Sequence, residues 1–136
     1  MPRTHFAVLI AALGLAACVP PDTSVSNDSP AEDYATYCSA CHGATGLGDG
    51  DIAAELSKKP ANLTRLSARN GGVFPTTRVM AQIWGYAGAK GRGVMPDFGP
   101  LMGGETVLYD GGDGIETPTP LRLVALAEYL KTLQVK

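Results

Sequence analysis

Cys38-Ser39-Ala40-Cys41-His42 sets two thiols three residues apart, with an imidazole beside the second. This is the run to which a c-type haem is attached. Each thiol can form a thioether with one vinyl group of the porphyrin, and the histidine offers a ring nitrogen to the iron. Two other chemistries use paired cysteines. A structural zinc site takes four Cys or His ligands, and this chain has no second cysteine pair and no other histidine after residue 5. A thioredoxin-like dithiol belongs at a strand-to-helix turn, whereas this pair closes a predicted helix. The ligand inventory therefore points to one covalent haem c, assembled in an oxidising, extracytoplasmic compartment.

A six-coordinate iron needs a second axial donor. Bis-histidine ligation is excluded, because His5 lies in a predicted leader and His42 is already used. Thioether sulfur is the common partner of histidine in such sites, and after Met1 the candidates are Met80, Met95 and Met102. Met80 falls on the apolar face of a predicted helix, where methionine usually packs a core. Met102 lies among Gly99, Pro100, Gly103 and Gly104, with no element to aim it. Met95 precedes Pro96, which disfavours helical backbone at Met95 and holds it extended. Phe98 can pack beside its sulfur and exclude water. Met95 is the expected sixth ligand.

The elements that would hold these residues are mostly helical. Ser29 can cap a helix, Pro30 suits its first position, and Glu32 completes a capping box. Tyr34, Tyr37, Cys38 and Cys41 follow at helical spacing, and Gly43 ends the run. Gly46 to Gly50 reads as a Gly-rich loop, followed by one helical turn over Ile52 to Leu56 and a turn at Pro60-Ala61-Asn62-Leu63. A middle helix is expected after Thr76 or Thr77, with Val79, Met80, Ile83 and Trp84 as its apolar stripe. Gly85 to Gly93 reads as a flexible approach to Met95. Residues 99–118 read as a long surface excursion, and the last helix runs from near Thr119-Pro120 to about Leu133. No stretch shows the sustained alternation of a half-buried strand, so the expected class is all-α. No internal repeat is present.

The 136 residues suffice for one domain. Charge is nearly balanced, with 11 basic and 13 acidic residues. Such a surface gives no electrostatic case for nucleic acid, which needs a basic patch. It is compatible with docking onto a basic patch of a redox partner. Residues 1–17 read as a leader: Arg3 supplies the charge, Phe6 to Ala17 the apolar run. That run is too short for a comfortable transmembrane helix. Leu15-Ala16-Ala17-Cys18 resembles the lipobox of bacterial lipoproteins, which implies a signal peptide over 1–17 and lipidation of Cys18. The alternative is an ordinary secretory signal that contains a cysteine. Residues 18–29 would then be a lipid-anchored flexible tether, Pro/Ser/Asp-rich with little to bury, and 30–136 the folded domain. Val19 stands where an inner-membrane retention signal often places Asp, so the resemblance favours the periplasmic side of the outer membrane.

Cys38-x-x-Cys41-His42-Gly43, Pro60-x-x-Leu63, Met95-Pro96-x-Phe98 and a final helix ending in Glu128-Tyr129-Leu130 together resemble the class I, mitochondrial-type, c-type cytochromes. The likeness spans most of residues 30–133. Cytochromes c′ carry the attachment motif near the C-terminus, and its early position here argues against them. The resemblance implies a small cytochrome c fold, with N- and C-terminal helices crossing and haem in a slot closed by a Met loop. It implies that the Pro60 carbonyl accepts the hydrogen bond from His42 Nδ1, as outer-shell partners of metal ligands do. Residues 99–118 are longer than the compact family pattern. Trp84, Arg78 and Arg92 could serve the haem propionates, or be plain core and solvated surface.

The function these features imply is electron transfer rather than enzymatic turnover: a membrane-tethered single-electron carrier with His42 and Met95 as axial ligands, docking transiently onto redox partner proteins. Two other readings stand beside it, a five-coordinate ligand-binding or peroxidase-like haem protein and an electron-transfer subunit of a larger oxidoreductase. Gly46-x-Gly48-x-Gly50 follows no strand and opens no clear helix with a lysine, which speaks against a phosphate cradle. Asp49-Gly50-Asp51 and Asp110-Gly111-Gly112-Asp113 do not fit calcium-loop spacing and read as turns.

Overall fold

A computed structural model describes residues 29–86 and 93–135. The predicted leader, Cys18, the tether as far as Asp28, and Arg92 fall outside the described residues.

Helix α1 (Pro30–Tyr37) begins where its cap residues dictate. Ser29 Oγ accepts from the Glu32 N–H at 3.2 Å, and the Glu32 carboxylate accepts from the Ser29 N–H at 2.9 Å. Two donors that a helix start leaves without partners are thereby satisfied. The helix does not continue to Gly43. Cys38 has φ −117°, and the Cys41 and His42 N–H groups both donate to its carbonyl, which starts a separate turn, α2 (Ser39–His42). Three 3₁₀ turns follow, Ala53–Glu55, Leu63–Arg65 and Ala68–Asn70, leading into α3 (Thr76–Trp84). A further 3₁₀ turn, Gly99–Leu101, precedes strands β1 (Thr106–Asp110) and β2 (Glu116–Pro120), and α4 (Leu121–Thr132) ends the domain.

The hairpin overturns the all-α expectation, and with it the class assigned by resemblance: the described chain is a small mixed α/β domain. The strands pair antiparallel, with Thr106 opposite Pro120 and Asp110 opposite Glu116. Asp110 Oδ1 closes the turn by accepting from the N–H groups of Gly112, Asp113 and Gly114 at 2.7–3.0 Å. Val107 and Tyr109 turn inward and are half-buried, whereas Leu108 between them is exposed. The surface excursion expected over residues 99–118 is mostly exposed, and it holds the Gly99–Leu101 turn, β1 and the start of β2.

The core gathers Tyr34, Val79, Met80, Ile83 and Met102 against Leu123, Leu126, Ala127 and Leu130 of α4. Each fully buried leucine contributes about 2 kcal/mol of transfer free energy. Helix α1 packs on α4 through the Tyr34 and Tyr129 rings, whose centroids are 5.6 Å apart. Beside them Asp33, 2% exposed, forms a two-point ion pair with Arg122. Arg122 also donates to the Leu101 carbonyl at 3.2 Å, so one guanidinium joins α1, α4 and the turn before Met102. Among the described residues no helix is long and apolar enough to cross a membrane.

Candidate cofactor-binding site

The α1–α2 junction puts Cys38, Cys41 and His42 on the wall of a cavity of about 810 Å³, within the size range of roughly 300–1,000 Å³ typical of ligand pockets. Backbone bonds hold this wall from outside. Gly48, Gly50 and Ile52 donate to the carbonyls of His42, Cys41 and Ala40 at 2.8, 3.2 and 3.1 Å. Gly48 is needed there: its φ is +80°, and a Cβ would lie 2.5 Å from the Pro60 carbonyl oxygen. The glycine loop is therefore a packing device, which is the turn reading.

His42 Nδ1 lies 2.9 Å from the carbonyl of Ala61, not of Pro60. The Pro60 carbonyl faces Gly48 instead, and Pro60 meets the site as a lining residue. A carbonyl only accepts, so Nδ1 carries the hydrogen and Nε2 keeps its lone pair. Burial lowers the His42 pKa, against a smaller opposing effect of the Ala61 hydrogen bond, so the imidazole is held as the neutral donor a metal requires. Burial also pushes the Cys38 thiol up to about 11, aided by the Asp33 charge. A redox dithiol needs a depressed thiol pKa, so this environment opposes the thioredoxin-like reading. Cys38 and Cys41 are both free thiols.

Met95 lines the same cavity, with Val94, Pro96 and Phe98. The Phe98 N–H donates to the Ile83 carbonyl at 3.1 Å, tying this segment to the last turn of α3. Phe98 packs 6.4 Å from the Tyr37 ring, which lines the cavity as well. Met80 and Met102 are buried in the core, at 9% and 1% exposure, and neither reaches the cavity. Met102 is not the unaimed loop residue the sequence suggests, because the Gly99–Leu101 turn winds it inward and its N–H donates to Gly99 and Phe98 carbonyls.

The remaining wall comes from residues 56–69, α3 and α4, and is mainly apolar. Its 63–67 portion is fastened by Gln134, whose amide donates to the Leu63 and Leu130 carbonyls at 2.8 Å and accepts from the Ser67 N–H at 2.9 Å. The Val135 N–H adds a bond to the Thr64 carbonyl at 2.9 Å. Lys58, Lys59, Arg69 and Arg78 are exposed and line the cavity, and among the described residues no carboxylate does. Net charge conceals this cationic rim. Arg78 donates to the Asn70 side-chain carbonyl at 3.0 Å, whereas Trp84 lies off the cavity lining, 6.0 Å from the Tyr86 ring.

Sequence reasoning passed over Ala61, Gln82 and the rim lysines. Ala61 acts through its backbone and leaves no side-chain signal. Gln82 does leave one, an amide three residues after Val79 on the apolar side of α3. Among the described residues no three His, Cys, Asp or Glu side chains cluster to hold a metal, and a structural zinc site would need four ligands. The donor set fits a covalent haem: two thiols, one neutral imidazole nitrogen and one thioether on a single, largely apolar cavity. No known protein family, curated protein or solved structure matches the chain.

Proposed function

We propose that the protein is a single-electron carrier holding one covalent haem c, related to the class I c-type cytochromes. The observation that carries this reading is that Met95, distant in sequence, lines one cavity with Cys38, Cys41 and His42, while Met80 and Met102 do not. Cys38 and Cys41 would supply the thioether links, and His42 Nε2 and Met95 Sδ would donate to the iron. Bound there, haem c supplies a reversible ferric–ferrous couple, whose potential His/Met ligation raises. Ala61 fixes the imidazole plane, as second-shell carbonyls do. Pro96 and the Phe98–Ile83 bond hold the sulfur-bearing segment in place through an electron cycle. The cationic rim offers partners for the haem carboxylates, and a redox partner protein would dock through a small transient interface. The lipobox-like Leu15 to Cys18 supports a lipid tether on the periplasmic side of a bacterial membrane.

The test is spectroscopic, on the matured protein. Pigment should resist acid-acetone extraction, ferrous protein should bind carbon monoxide slowly, and ferric protein should show the weak far-red thioether-to-iron band. Met95→Ala should lower the potential, abolish the band and admit carbon monoxide rapidly. Rapid carbon monoxide binding and no far-red band in the unaltered protein would sink the proposal in favour of a five-coordinate haem protein.

A further inference from the structure

Helix α3 presents Val79, Gln82 and Ile83 to the cavity. Val79 and Ile83 are buried hydrophobics of the core, as the helical period demands. Gln82, between them, is an amide on the same wall, and a primary amide facing apolar surroundings is costly unless its hydrogens find acceptors. Its Nε2 lies 3.7 Å from Met95 Sδ, a hydrogen bond by the longer reach of sulfur. The direction of this bond is set by chemistry: the thioether has lone pairs and no hydrogen, so nitrogen donates and sulfur accepts.

Met95 is therefore constrained at three points. Pro96 restricts its backbone. The Phe98 N–H, three residues on, is tied to the Ile83 carbonyl, one residue beyond Gln82. Gln82 catches the side chain at its sulfur. The first two constraints would place any side chain at position 95, whereas the third acts only on an acceptor atom.

We propose that Gln82 is a positioning residue for the Met95 thioether, aiming its sulfur and tuning its donor strength through this amide hydrogen bond. The inference rests on the electron-carrier reading and deepens it. A hydrogen bond draws electron density from one sulfur lone pair and leaves the other for the metal. Electron withdrawal weakens the thioether more as a donor to ferric than to ferrous iron, so the bond raises the potential. Outer-shell hydrogen bonds tune metal sites in this way. The bond is also a point of attachment, and its loss lets the thioether sample more rotamers. The effect is bounded: a neutral hydrogen bond contributes about 1 kcal/mol net, so its unequal effect on two oxidation states stays within roughly a tenfold change in their ratio, or about 59 mV for one electron.

The experiment uses matured holoprotein with Gln82→Leu, which keeps bulk and removes the donor, and Gln82→Asn, which keeps the amide but withdraws its reach by one methylene. Midpoint potential, the far-red band and thermal unfolding are compared with those of unaltered protein and Met95→Ala. Both Gln82 variants are expected to shift the couple several-fold toward ferric and to move or weaken the band, while unfolding changes little. If both keep the original potential and band while Met95→Ala alters both, Gln82 merely fills space and this inference fails alone. If Met95→Ala leaves potential and band unchanged, Met95 is no ligand, and the inference falls together with the reading beneath it.

Discussion

The cavity wall at residues 38–63 and the hairpin at 106–120 are built on opposite plans. The first is laced by main-chain bonds across its loops, from His42 to Gly48, Cys41 to Gly50 and Gly46 to Leu63. Glycine lets those backbones touch. The hairpin is stitched within itself and fastened to the body by side chains: Tyr109 donates to Glu128, and Lys131 reaches both Tyr109 and Glu128 at 3.1 and 2.7 Å. Its outer face leaves Leu108 and Ile115 each 64% exposed. A wall held by main chain keeps its shape when side chains change, and so can carry fixed chemistry. A hairpin held by a surface clamp is free to vary.

Substitutions can break or sharpen this contrast. The largest effect on stability is expected outside both regions, at the ion pair that ties α1 to α4. Arg122→Leu strands the buried Asp33 carboxylate and frees the turn before Met102, which should cost about 3 kcal/mol by denaturant unfolding. A loss below about 1 kcal/mol would mean that the pair behaves as a surface ion pair. On the cavity side, the Tyr34 hydroxyl donates to the Gly43 carbonyl at 2.7 Å in the core, and Tyr34→Phe leaves that acceptor bare at a cost of about 1–2 kcal/mol. Burial pushes the Tyr34 pKa up to about 12, from an ordinary value of 10.0. Between those two values the folded protein keeps a proton the unfolded chain loses, so stability falls as pH rises through this window. Alkaline unfolding curves of Tyr34→Phe should lack that component, and identical slopes for both proteins would remove Tyr34 as its source. The smallest effect is expected on the hairpin, where Leu108→Ser should change stability by less than about 0.5 kcal/mol. A larger loss would show that the exposed face is an integral part of the fold.

What could be read beforehand follows the same division. Ser29, Pro30 and Glu32 announce α1 because capping is local chemistry, and Val79, Met80 and Ile83 announce α3 because helical burial is periodic. The break at Cys38 was hidden, since its cause is which carbonyl the Cys41 and His42 amides choose. Ala61 rather than Pro60 as partner of His42 was equally hidden, because spacing cannot say which of two adjacent carbonyls a turn will aim inward. The hairpin escaped for a compositional reason. Val107-Leu108-Tyr109 is an unbroken apolar run, and Pro118 and Pro120 argue against a strand. In a two-stranded ribbon both strands are edges, and these prolines, two residues apart, share the side that makes no ladder bonds. Met95 was singled out by the proline after it, whereas the burial of Met102 depends on tertiary packing.

The Gln134 staple has a consequence for the order of assembly. Its bonds to Leu63 and Ser67 span 71 and 67 residues of chain, far longer than the three-residue span of the Ser29 cap, so the entropy of bringing their ends together is met late. The local bonds from Cys38 to Ile52 can form while the 63–67 flank is still open, and the residues after α4 fasten that flank late.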